Sequence, residues 1–118
     1  MKGERNIMET FKIGQEIVIT EDFEIEGFIS EHKILVKKDD KGYVDSMGNL
    51  HYQTGAARGK IQAIKEDVNV KGYDCENIAK IIYKRLQSQF DIKEFLEGYE
   101  IPVEDFTSEI EDVLSDIL

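Results

Sequence analysis

The hydrophobic period of the chain changes near residue 70, and that change limits the folds open to it. Before it, short alternating or β-branched runs are separated by glycine and aspartate turns. After it, apolar residues recur at helical spacing. A chain patterned this way is α+β, with its strands first and its helices last. Phe11 to Thr20 reads as an extended entry and a strand, with further strands at Glu26 to Ser30 and His32 to Lys38. Asp39-Asp40-Lys41-Gly42 supplies a turn, because aspartate tolerates turn geometry and glycine accepts positive φ. Tyr43-Val44-Asp45, Ser46 to Asn49 and Leu50-His51-Tyr52 read as strand, turn and strand, and Gly59 to Ile64 as a last strand. Short strands in such number within roughly 60 residues fit a small antiparallel β-barrel, which hides the edges an open sheet exposes.

Glu66 to Tyr73 reads as a connector. Beyond it, Ile78, Ile81, Ile82, Leu86 and Phe90 mark one face of a helix, with Asp74 as its N-cap. Asp91-Ile92-Lys93-Glu94 has the spacing of a capping box for a second, short helix that Gly98 would stop. Pro102 suits the first position of a third. The expected organisation is a small N-terminal antiparallel β-barrel over residues 1–70 and a three-helix acidic subdomain over 71–118, packed as one unit. Residues 1–10 would be a disordered leader, and translation from Met8 would dispense with most of it.

Within the first part, Phe11-Lys12-Ile13-Gly14-Gln15-Glu16-Ile17-Val18-Ile19 resembles the opening of KOW/Tudor-type small barrels. There a hydrophobic-x-hydrophobic-Gly entry leads into the first strand, and Gly27-Phe28-Ile29 stands where such barrels place a second one. The resemblance covers residues 11–64. It implies a barrel and, as a family habit, binding to nucleic acid, ribosomes, RNA polymerase or peptides; it assigns no binding residue here.

Charge is distributed as unevenly as hydrophobicity. The chain of 118 residues carries a net −10, yet residues 1–90 hold 15 acids and 14 bases, while residues 91–118 hold ten acids and only Lys93. Residues 33–65, with seven bases and three acids, are the basic stretch. The third helix orders the acidic end. At about 100° per residue, Val103, Phe106, Ile110, Val113, Leu114 and Ile117 share one arc, and Glu104, Asp105, Glu109, Glu111, Asp112 and Asp116 fall on the opposite one.

Constellations for covalent chemistry are lacking. His32, His51 and Cys75 have no metal-ligand spacing, and a zinc site takes three or four protein ligands. Cys75 opens a helix, where the dipole favours a thiolate, but Asp74 and Glu76 oppose it. Gly55-Ala56-Ala57-Arg58-Gly59-Lys60-Ile61 is one residue short of a phosphate-binding loop, and Ile61 replaces its Ser or Thr. Acidic residues are many, but those on the last helix share one solvated face, not a cleft that separates their roles. No cofactor is expected, nor an enzymatic activity.

Two binding functions remain. In the first, Glu104, Asp105, Glu109, Glu111, Asp112 and Asp116 imitate nucleic-acid phosphates and occupy a basic protein, such as a nucleic-acid-binding enzyme. In size and charge the chain is similar to small acidic inhibitors of phages and mobile elements, including anti-restriction and anti-CRISPR proteins. In the second, Lys33, Lys37, Lys38, Arg58 and Lys60 make a barrel surface that binds nucleic acid or the transcription machinery. The basic stretch could equally meet the acidic helix of a second copy, giving a homo-oligomer. No apolar run approaches the ~20 residues of a membrane span, and one cysteine cannot form an internal disulfide, so a cytoplasmic setting is expected.

Overall fold

The computed structural model describes residues 9–27, 32–64 and 68–118. The chain is α+β, with strands in the N-terminal part and helices in the C-terminal part. It divides into two compact units at Gly72/Tyr73. The strands are β1 (Glu9–Ile13), β2 (Glu16–Val18), β3 (Phe23–Glu26), β4 (Lys33–Val36), β5 (Lys41–Val44), β6 (Asn49–Tyr52), β7 (Ile61–Ala63) and β8 (Val68–Tyr73). The helices are α1 (Cys75–Phe90), α2 (Ile92–Gly98) and α3 (Val103–Ile117).

Among the described residues no closed barrel forms. A four-stranded sheet runs β2-β5-β6-β7, and β3-β4 and β1-β8 are separate two-stranded sheets. Closure requires every strand to be paired on both sides with a consistent tilt. Here the β3 and β4 ladders are spent on each other, with Ile25 opposite Ile34 and Phe23 opposite Val36, and β2 and β7 are only three residues long. The β3–β4 hairpin still shares a core with the larger sheet. Ile25 and Val36 are buried with Ile19, Leu50, Tyr52 and Ala57, while Ile17, Ile34 and Ile64 pack at the margin. Burial of Ile19, Ile25, Val36 and Leu50 contributes about 1.5–3 kcal/mol each.

Strand alternation explains which side chains go in. In β5 and β6, Gly42, Val44, Leu50 and Tyr52 face inward, and Tyr43 and His51, opposite each other in register, stack outside at 4.7 Å. Gly42 is a strand residue, not the turn residue expected. A Cβ there would stand 2.5 Å from the His51 carbonyl oxygen, so close approach of β6 requires glycine. The left-handed position of that turn is Asp39, at φ 77°, whose N–H donates to the Ile19 carbonyl.

Two further expectations are revised. The stretch read as a connector contains β8, which pairs with β1, and Val68 and Val70 alternate half-buried along it. Glu9 and Thr10, read with the leader, open β1; the rest of the leader, Phe28 to Ser30 of an expected strand, and Met8 lie outside the described residues.

In the helical unit α1 packs against both α2 and α3. Asp74 caps α1 as expected, its Oδ1 accepting the Asn77 N–H at 3.0 Å. Asp91 does not cap α2. It adopts a left-handed conformation at φ 52°, and its carboxylate accepts from Gln87 Nε2. The Gln87 Oε1 takes over the capping role by accepting the Lys93 N–H at 2.7 Å. Gly98 ends α2 as expected, but without taking the left-handed conformation. It is the last helical residue, and the left-handed residue is Glu100 at φ 58°. Ile101 N–H then donates to the Leu96 carbonyl and Glu100 N–H to the Glu97 carbonyl, the paired bonds that close a helix whose next residue is left-handed.

Candidate functional site: an acidic ridge on the last helix

The third helix is amphipathic, and the packing of the helical unit uses its apolar side. Val103, Phe106, Ile110 and Leu114 are half-buried, and the Phe106 ring meets Tyr83 of α1 edge-on at 6.2 Å. Val113, at the margin of the apolar arc, and Ile117, in the final turn, remain exposed. On α1, Phe90 is 71% exposed although its spacing matches the buried face.

That packing leaves the acids outside. Glu104, Asp105, Glu109, Asp112 and Asp116 are exposed, and Glu111, beside Leu114, is half-buried. Asp105, Glu109, Asp112 and Asp116 follow the spacing i, i+4, i+7, i+11. At about 100° per residue they lie within roughly 60° of arc, and Glu104 and Glu111 form a separate flank. At ~1.5 Å rise per residue the ridge is about 16 Å long, with one charge per ~5.5 Å of axis. Among the described residues none of these six carboxylates has an ion pair or side-chain hydrogen bond. None of the three helices has a basic residue in its last turn.

The ridge is held against local electrostatics. Glu104 and Asp105 in the first turn complement the helix dipole. Asp112 and Asp116 approach the C-terminal end, where a carboxylate costs about 0.3–1 kcal/mol. Like charges at i,i+4, as in Asp105–Glu109 and Asp112–Asp116, cost about 0.2–0.5 kcal/mol each.

The basic residues of the first unit are differently surrounded. Lys33 stands directly across from Glu26. The backbone N–H groups of Lys37 and Lys38 are held by the carboxylates of Asp40 and Asp22. Arg58 is exposed on the β6–β7 turn, and half-buried Lys60 lines a cleft of about 590 Å³ together with Glu26. Glu26 thus stands beside both Lys33 and Lys60.

A second cleft of about 530 Å³ has Phe11, Ile17, Ile19, Phe23 and Leu50 in its wall. Its polar groups are Glu9, Glu16, Tyr52 and Gln62, and the Tyr52 hydroxyl is committed to Gln62 Oε1 at 2.6 Å. Burial raises the Tyr52 pKa, keeping that hydroxyl neutral. Cys75 is a free, half-buried thiol at the start of α1, and His32 is exposed. Among the described residues no group of three His, Cys, Asp or Glu could hold a metal, and no helix is long and apolar enough to cross a membrane.

Two clusters escaped the sequence reading. Asp45 binds His51, Nε2 to Oδ2 at 2.7 Å, and accepts the N–H groups of Met47 and Asn49; the turn and the Val44–Leu50 register bring them together. Phe95 and Tyr99 pair at 5.0 Å and are exposed, at the margin of the same stripe that carries half-buried Ile92 and buried Leu96. Their i,i+4 spacing was the available signal. Comparison with protein-family models, with curated proteins and with solved structures returns no match.

Proposed function

We propose that this chain is a non-enzymatic, protein-binding inhibitor or regulator that presents the acidic side of α3 to a basic protein, of the kind that binds nucleic acid. The observation that carries this reading is the ridge Asp105-Glu109-Asp112-Asp116, exposed and unpaired among the described residues on a helix anchored by its other side. Its charge spacing of ~5.5 Å is of the order of the ~3.4 Å axial spacing of phosphates along one DNA strand. A rigid row of anions at that spacing suits a groove lined by Lys and Arg. The carboxylates are exposed, so their own desolvation is deferred until a cationic partner arrives to offset it. Inhibitors of phage or mobile-element type, such as anti-restriction or anti-CRISPR proteins, are the functional class this mode of action suits. Their targets are reached in the cytoplasm, and no cofactor is involved.

The test is capture from nuclease-treated bacterial lysate with the wild type and with a variant carrying Asp105→Asn, Glu109→Gln, Asp112→Asn and Asp116→Asn. The wild type should retain a DNA- or RNA-binding protein that the variant loses, while the two share the same circular dichroism spectrum. Retention of the same protein by both would remove the ridge from the account.

A further inference from the structure

Where the sheets stop short of a barrel, they leave a seam with unused main-chain hydrogen-bonding groups. β2 and β7 end the four-stranded sheet, and among the described residues no strand pairs with their outer sides. In an antiparallel ladder, alternate residues turn their N–H and C=O toward the neighbouring strand and the others turn away. Tyr52 N–H donates to the Lys60 carbonyl and Ile64 N–H to the Gly48 carbonyl, so in the β6–β7 register Ile61 and Ala63 turn away. Ile19 N–H donates to the Asp40 carbonyl, which in the β2–β5 register does the same for Glu16 and Val18. The clefts of about 530 and 590 Å³ both border β7; they share Gln62 and together follow the chain from Gly59 to Ile64. The first also has Glu16, Ile17 and Val18 of β2 in its wall, with Phe11 and Phe23. Apart from its shortness, β7 lacks the usual guards of a sheet edge, since Ile61-Gln62-Ala63 holds no charge and no proline.

We infer that this seam takes an extended segment of a partner protein as an added strand along β7, with apolar side chains alternating with lysine or arginine. The unused main-chain groups argue for a strand. They recur every second residue, about 6.6 Å apart, and another extended backbone matches that spacing. The apolar wall of Phe11, Ile17 and Phe23 suits every second side chain of such a segment. Glu9, Glu16 and Glu26 line the two clefts against the single base Lys60, which favours basic residues at the positions between. A second copy fits less well, because two β7 strands of three residues each fall short of the ~800 Å² per partner of a stable dimer. The seam belongs to the first compact unit, so the inference stands or falls independently of the ridge on α3.

The experiment uses the full chain and a fluorescent hexapeptide of alternating valine and lysine, with binding read by anisotropy. The same peptide methylated on its backbone nitrogens cannot donate to the edge. It should bind at least about tenfold more weakly, the loss of two or more hydrogen bonds at about fivefold each. The peptide with glutamate in place of lysine should also bind more weakly. Ala63→Pro removes an N–H that the β6–β7 ladder does not use, so the sheet is kept while affinity for the valine–lysine peptide falls about fivefold. The four-residue ridge variant should keep the preference for the unmethylated peptide. Hydrogen exchange on the wild type gives a reading that needs no variant to fold: the Ile61 and Ala63 amides should exchange freely alone and slow when the peptide is bound. Equal affinity for the methylated or the glutamate peptide, full affinity in the Ala63→Pro variant, or exchange that the peptide leaves unchanged would overturn the inference. So would Ile61 and Ala63 amides already protected in the free monomer, which would mean that the chain itself occupies the edge. Concentration-dependent self-association that Ala63→Pro abolishes would overturn it in favour of a second copy.

Discussion

Asp45 does the most for the β5–β6 turn, through one carboxylate and three partners. Burial pushes its pKa up. Hydrogen bonds from the Asn49 N–H, His51 and the Met47 N–H, with the His51 charge, outweigh that and hold the carboxyl below its ordinary value. The folded state therefore favours the ionised form. Its contribution is complete above the unfolded value of about 3.9 and is lost as pH falls through the lower folded value. Asp45→Asn should cost about 1–2 kcal/mol at neutral pH, from weakened bonds to charged acceptors. It should also flatten the acid limb of stability below about pH 4. Urea unfolding at neutral and acid pH checks both; an unchanged acid limb would show that Asp45 is not a source of it. The sequence displayed the turn through Ser46-Met47-Gly48-Asn49, but not this hub, because a carboxylate and an imidazole six residues apart meet only once the hairpin register is set.

At the scale of elements, the helices were legible and the details of their caps only in part. The spacing of Ile78, Ile81, Ile82 and Leu86 and the Asp74 cap located α1, and the two arcs of α3 located its packed and solvated sides. Helix termini depend on single dihedral angles, and those are set by packing. Glycine at position 98 signals a stop and α2 ends there, yet the left-handed residue is Glu100, two positions on. Glu100→Gly should therefore stabilise the helical unit by about 1 kcal/mol, the steric cost of a non-glycine left-handed residue. A rise in the urea midpoint supports this assignment; a fall would contradict it. Strand β8 shows the opposite weakness. Val68 and Val70 alternate correctly, but Gly72 and the charged Lys71 dilute the pattern, and the partner strand β1 lies far away in sequence. Strand preference of that kind is settled by tertiary pairing and not by local composition.

For the whole molecule, the order of strands and helices was readable from periodicity, while the sheet arrangement was not. A barrel and three separate sheets place the same alternating residues inward. What distinguishes them is which edges meet, and β3 prefers β4 to either end of the larger sheet. Charge divides the same way. The linear sequence shows a basic middle, but folding sets Glu26 across from Lys33 and holds the Lys37 and Lys38 backbone N–H groups on Asp40 and Asp22, while the acids of α3 keep an exposed arc. The ridge on α3 includes carboxylates that oppose the helix dipole and repel one another, so it lowers the stability of the helix that carries it. Competition at the captured partner tests this most directly. A labelled DNA or RNA probe bound to the captured protein should be displaced by the wild type and not by the Asp105→Asn, Glu109→Gln, Asp112→Asn, Asp116→Asn variant. A ternary complex of probe, partner and wild-type chain would contradict the claim that the ridge occupies the nucleic-acid site.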